Sequence, residues 1–219
     1  DKDANERKTM NTHLHILEPY TNLFRVWKDD YLKRQLHNLV RLFIDRILDT
    51  ETSHLQLFFN DDWESPYRII SYGHDIEASW LLHEAALVLG DKALLDEVEP
   101  RVVDIAEAAT EGSLTGAGML YEQHVDTASI DADRHWWVQA EAIVGYINLY
   151  QHFDDRLSLS RAVQCWEFVK RHLIDRENGE WYWSLRADGS VNRNEDKAGF
   201  WKCPYHNGRM CMEIIERFV

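Results

Sequence analysis

The chain has 219 residues, 45% hydrophobic and 28% charged, with a net charge of −14 and a pI near 5.2. This acidity argues against nucleic acid and anionic membranes as partners, because both repel a negative surface, and no apolar run approaches the roughly 20 residues that a membrane-spanning helix needs. The charged opening Asp1–Lys8 lacks the apolar stretch of a secretory leader, and Cys165, Cys203 and Cys211 form no CxxC pair, so free thiols in a reducing, cytoplasmic setting are expected.

Helical periodicity starts over residues 12–28, where Leu14, Leu17, Leu23, Phe24 and Trp27 recur near helical spacing, with Asn11 or Thr12 as cap. Pro19 is expected to kink this helix or to lie in its first turns. A second apolar stripe, from Leu32 through Leu36, Val40 and Phe43 to Leu48, predicts a helix over 30–49. The aromatic text His54–Phe59 reads as a short strand. A second helix pair follows at 75–90, closed by Gly90, and 92–110. Residues 112–133 read as an irregular, glycine-rich stretch, and a third helix pair occupies 135–152 and 156–173. Trp181–Leu185 reads as another strand, flanked by the turn signals Asn178-Gly179 and Asp188-Gly189, and a last helix runs from Pro204 to the end. No composition shift divides residues 1–219, so one domain is expected. The recurring helix–loop–helix unit predicts an all-α toroid of paired helices with short β-hairpin segments in its loops. No glycine-rich phosphate loop links a strand to a helix, which excludes a nucleotide-binding α/β design.

Three histidines stand where turn-like text feeds an apolar helical pattern: His15, His74 and His206. An imidazole exchanges protons near neutral pH, so three of them at helix starts point to one pocket for proton transfer. In His74-Asp75-Ile76-Glu77, the histidine and Glu77 share a helix face at i and i+3. Asn11 and His15 do the same at i and i+4, while His13 diverges; with no HExxH pattern, a zinc site is not expected and no metal is assigned. Trp201 stands in the loop before His206, where Cys203 and Pro204 set the turn. Trp136 and Trp137 are adjacent, so their side chains diverge by about 100° and at most one faces the core squarely. The other is expected to face a pocket or solvent, and the pocket is favoured, with Glu141 four residues beyond Trp137 placed to reach the same cavity. The other histidines, His54 and His124 among them, read as satisfied or surface groups.

Taken together, the segments MNTHLHILE, SYGHDIEASWLL, HWWVQAEA and FWKCPYHNGRMCME resemble the N-acylglucosamine 2-epimerase superfamily, and within it the cellobiose 2-epimerase branch. The resemblance implies an (α/α)6 barrel, of which this chain corresponds to an incomplete, C-terminal portion; an arginine and a tyrosine of the family's sugar site lie on the helices that precede it. It implies cofactor-independent epimerisation at C2 of the reducing-end glucose of a β-1,4-linked disaccharide such as cellobiose or lactose, through an enediolate. Carried over by motif, His74 and His206 form the acid/base pair, and His15 assists ring opening and polarises O1. Asn11 and Glu77 hydrogen-bond the sugar or the histidines, and Trp201 with one or both of Trp136 and Trp137 gives stacking platforms. The order of His74 and His206 as base and acid stays open.

Rival readings are an aldose–ketose isomerase or an N-acylglucosamine 2-epimerase with the same histidines, a glycoside hydrolase built on Glu77 and Glu141, and a non-catalytic sugar-binding fragment. A hydrolase needs two carboxylates across the scissile bond, whereas here histidines occupy the repeated helix-start positions.

Overall fold

The structure is a computed structural model that describes residues 7–114 and 116–219; the opening residues 1–6 lie outside the described range. Among the described residues seven α-helices carry the fold: α1 (Met10–Val26), α2 (Asp30–Leu42), α3 (Tyr72–Leu89), α4 (Lys92–Ala109), α5 (Trp136–Phe153), α6 (Arg156–Phe168) and α7 (His206–Phe218).

Two kinds of helix alternate. On α2 the buried residues Leu32, Leu36 and Val40 form one stripe, and α4 buries Leu94, Val98, Val102 and Ile105 in the same way. Such one-sided helices suit an outer layer. By contrast, α3 and α5 are buried nearly all round, with small residues where neighbours approach closely: a Cβ on Gly145 of α5 would sit 2.5 Å from Cγ1 of Ile76 on α3. Helices α1, α3, α5 and α7 pack in that order as an inner arc, and α4 and α6 pack outside α3 and α5. This is an open arc of an (α/α) toroid, with no closed ring among the described residues. No described helix is long and apolar enough to cross a membrane.

The outer helices share a start signal. Asp29, Asp91 and Asp155 each accept backbone N–H bonds from the first turn of α2, α4 and α6, a cap worth about 1 kcal/mol. None of α3, α5 and α7 has a side-chain cap. The ends of α2 and α6 repeat as well. Each runs into a five-residue π-helical turn, Phe43–Ile47 and Val169–Leu173, so the helices expected over 30–49 and 156–173 change winding before they stop. The chain then doubles back to a bridge, Leu48 with Leu55 and Ile174 with Trp181. The same backbone bonds close both loops: Gln56 N–H to Ile47 O (2.9 Å) and Tyr182 N–H to Leu173 O (2.7 Å).

Strand text needed correction. Within His54–Phe59 only β2 (Phe58–Phe59) is a strand, and it pairs with β1 (Lys8–Thr9) ahead of α1. In Trp181–Leu185 only β9 (Ser184–Leu185) is one, and it pairs with β8 (Arg134–His135). Residues 112–133 are not irregular. They hold the hairpin β4 (Ser113–Leu114) and β5 (Gly118–Met119), and then β6 (Glu122–His124) and β7 (Ser129–Asp131), which extend β3 (Ile69–Ser71) into a three-stranded sheet. Strands β6 and β7 are half-buried or exposed and mostly polar, so no period-two apolar signal marks them. Pro19 lies in the middle of α1, not in its first turns. All three cysteines are free, with Cys165 buried and Cys203 and Cys211 exposed.

Candidate active site

The N-terminal ends of α3, α5 and α7 and the first four turns of α1 open onto one cavity of about 1370 Å³. Of the nine residues the sequence singled out, eight line it: Asn11, His15, His74, Glu77, Trp136, Trp137, Trp201 and His206. Asn11 is at its exposed edge and Trp201, 76% exposed, at its rim, packed edge-on against Phe200. The ninth, Glu141, corrects the expectation. It is fully buried behind the cavity wall, because α5 turns it toward α3 and α7: its Oε1 accepts from His206 Nδ1 at 2.7 Å and its Oε2 from Trp80 Nε1 at 3.1 Å.

The side chains are placed by a register shared between the inner helices. Glu18, Glu77, Glu141 and Arg209 stand three residues after His15, His74, Val138 and His206, one turn deeper on the same helix face. All four meet. Arg209 Nη1 lies 2.6 Å from Glu18 Oε1, and its Nη2 lies 2.6 Å from Glu77 Oε1 and 2.8 Å from Glu141 Oε1. Tyr205 donates its hydroxyl to Glu18 and accepts from Arg209 Nη1. Three carboxylates around one guanidinium make a buried ionic floor beneath three histidines. The sequence reading missed Arg209, Glu18 and Tyr205, although the i, i+3 spacing used for His74 and Glu77 recurs at His15 and His206.

Glu77, Glu141 and His206 bring one ligand atom each within 4.8 Å of one another, a grouping that suits a cation. Nη2 of Arg209 and the His206 Nδ1–H already bond those oxygens, so the cation there is the guanidinium. The same sharing weighs against a hydrolase, since Glu77 and Glu141 turn onto one nitrogen instead of facing each other across a bond.

Environment separates the two histidines. Burial, aided by the neighbouring His15 and His206, lowers His74 to about 3, so it is neutral near pH 7; its Nδ1 lies 2.8 Å from Ser71 Oγ. Burial also disfavours a charge on His206, but the hydrogen bond to Glu141 and the nearby carboxylates outweigh it and raise its pKa. Burial, then the Glu141 charge, pushes Glu77 upward, while Arg209 holds Glu141 ionised against its own burial. Both histidines use Nδ1 for support, which leaves Nε2 for the cavity. Trp137 packs against both, its ring 4.7 Å from that of His74 and 5.6 Å from that of His206, and the His15 ring lies 6.3 Å from His206. Two buried polar atoms of cavity residues, Trp136 Nε1 and Glu77 Oε2, have no partner in the described structure.

Of the remaining histidines, His13 turns away as expected, bonding Thr9 O and packing on Trp63. His124 was read as incidental but lines the cavity. His54 is satisfied, its Nδ1 lying 2.8 Å from buried Asp75.

The sequence pattern of the N-acylglucosamine 2-epimerase (GlcNAc 2-epimerase) family matches residues 1–208. A cellobiose 2-epimerase of Bacteroides fragilis is 67% identical over 98% of this chain and 55% of its own length, and one of Dictyoglomus turgidum is 41% identical over 96% and 54%. The solved cellobiose 2-epimerase of Bacillus thermoamylovorans superposes with a TM-score of 0.89 at 46% identity, covering 95% of this chain and 53% of that one. The chain therefore spans about half the length of the relatives it matches. A D-mannose isomerase structure, with a TM-score of 0.80 at 20% identity, shares the fold.

Proposed function

The chain belongs to the N-acylglucosamine 2-epimerase family, and from that premise we propose that it acts on the reducing-end glucose of β-1,4-linked disaccharides, cellobiose or lactose, inverting C2 to give a mannose-configured end. The observation that carries the reading is the pairing of a neutral His74 with a charge-favouring His206, both packed against Trp137 at one cavity. Epimerisation needs one base and one acid on opposite faces of C2 at the same moment.

In the proposed sequence His15 assists ring opening and polarises O1. His74 Nε2 takes the C2 proton, and the electron pair moves into a C1–C2 enediolate. The His206 imidazolium then returns a proton to the other face of C2. The reverse reaction exchanges the two roles. Trp137 or Trp136 underlies the ring, and Asn11, Trp136 Nε1 and Glu77 Oε2 supply hydrogen bonds to its hydroxyls. Glu141 acts through His206, holding its Nδ1–H and favouring its charge.

A second reading has a specific support: the same enediolate, protonated at C1, gives a ketose, and a D-mannose isomerase is 31% identical over 45% of this chain. NMR of cellobiose in D2O with this chain, and with the chain extended to the length of its relatives, tests both. Loss of the C2 proton with a mannose-configured end is the expected result. A ketose signal moves the reading to the isomerase. No exchange in either form overturns it.

A further inference from the structure

Asp75, Gln139 and Asn207 share one register position, each one residue beyond the level of His74, Val138 and His206. None lines the cavity, yet all three are buried. Each takes hold of the loop that follows an outer helix. Asp75 accepts the Leu55 N–H at 2.9 Å and faces His54 Nδ1 at 2.8 Å. Gln139 bonds both the N–H and the carbonyl of Met119, each at 2.8 Å. Asn207 Nδ2 donates to Glu180 Oε1 at 2.9 Å, an oxygen that also accepts from Trp181 N at 2.8 Å and Lys202 Nζ at 3.1 Å. His54 and Glu180 themselves occupy matching places, each just before the bridge residue, Leu55 or Trp181, that doubles the chain back. The chemistry differs in all three clasps, but the place does not.

Lys202 completes the α7 clasp. Its ammonium is enclosed, donates to the carbonyls of Trp181 (2.7 Å) and Lys197 (2.6 Å), and lies 4.8 Å from the Trp136 ring. One buried cation thus ties the Trp201 loop to the strand text before it and to the cavity wall.

Successive side chains on a helix point about 100° apart. Locking Asp75 therefore sets the rotation and height of α3, and with them the direction of the His74 ring; Asn207 does the same for His206. These helices have no side-chain cap to set their starts otherwise. Proton transfer tolerates errors of only about 0.5 Å. We infer that Asp75 and Asn207 are positioning residues, which hold His74 and His206 in register by clasping the loops at His54–Leu55 and at Glu180. The inference rests on the reading that these histidines carry the chemistry.

The test compares Asn207→Ala, the near-isosteric Glu180→Gln, their combination, and Asp75→Asn. Expected are a fall in kcat per folded molecule of about 10- to 100-fold, KM within two-fold, and a combined variant no worse than the poorer single one. In histidine-labelled NMR, the His206 ring signals should move in Asn207→Ala and those of His74 in Asp75→Asn, each with little change at the other. Lowered thermal stability with kcat, KM and both ring signals unchanged would overturn the inference and leave a structural role. If neither this chain nor its extended form exchanges a C2 proton, the function reading has failed, and the ring signals alone decide: unmoved signals overturn the positioning role, selective movement supports it.

Discussion

Glu18 on the first helix of the arc and Arg209 on the last form a 2.6 Å ion pair beneath the cavity. Nearly the whole chain lies between them, so this pair fixes the separation of His15 and His206, which stand one turn above. Arg209 also pairs with Glu77 and Glu141. Removing one partner from a buried ionic group leaves uncompensated charge and costs about 3–5 kcal/mol. Arg209→Met should lose that much in urea unfolding at pH 7. The deficit should shrink as the pH falls, because Glu77, already pushed upward, takes a proton first. A loss below about 1 kcal/mol would show that the floor carries no structural weight.

The two histidines give opposite pH signatures. His74 has a folded pKa lowered to about 3, so between roughly 6.5 and 3 the unfolded chain binds the extra proton, and stability is lost as the pH falls through that window. His206 has a raised pKa; its stabilisation is complete below the unfolded value of about 6.5 and is lost as the pH rises through the folded value. His74→Asn should therefore flatten the acid side of the stability curve and His206→Asn the alkaline side. Both should reduce C2 exchange by at least about 100-fold. Exchange by the unaltered protein should decline as the pH rises through the His206 value, since His206 is then deprotonated. Exchange that rose steadily to pH 9 would sink the assignment of His206 as acid.

Much of this was legible in the chain text. The stripes Leu32–Leu36–Val40 and Leu94–Val98–Val102 mark outer helices because each has one apolar face, and the turn signals Asn178-Gly179 and Asp188-Gly189 stand where both glycines adopt positive φ. The His74–Glu77 spacing pointed to a shared face. What escaped was set by convergence. Arg209 gains its meaning from carboxylates on three other helices, and Val138 hides the fourth member of the repeat because the register there keeps Glu141 and drops the histidine. The start of α3 at Tyr72 escaped as well, since Ser71-Tyr72-Gly73 reads as a turn until tertiary packing overrides it.

Trp201 makes a different kind of prediction. It is 76% exposed and touches the cavity from the rim, so it contributes little to folding. A stacking contact of about 0.5–1.5 kcal/mol corresponds to roughly a 2- to 12-fold change in binding. Trp201→Ala should raise KM by that factor, leave kcat within two-fold and leave the unfolding midpoint in place. A fall in kcat with KM unchanged would mean that the residue orders the His206 loop and does not meet the sugar.

Gly73 sits where the start of α3 packs against the first turn of α5. A Cβ there would lie 2.7 Å from Cη2 and Cζ3 of Trp137 and 2.7 Å from Cγ2 of Val138. Alanine is the better helix former by about 1 kcal/mol in a helix interior, but Gly73 is the second residue of α3, where that gain is small. Overpacking costs about 1–3 kcal/mol and wins. The strain is relieved most readily by tilting Trp137, whose ring rests against both His74 and His206. Gly73→Ala should thus destabilise the fold by about 1–2 kcal/mol and cut C2 exchange by about 100-fold, the cost of a misplacement near 1 Å. The tryptophan fluorescence should shift with it. Full activity and a midpoint equal to that of the unaltered chain would mean that the helices separate freely, and the close approach would then have no part in setting the distance between the two histidines.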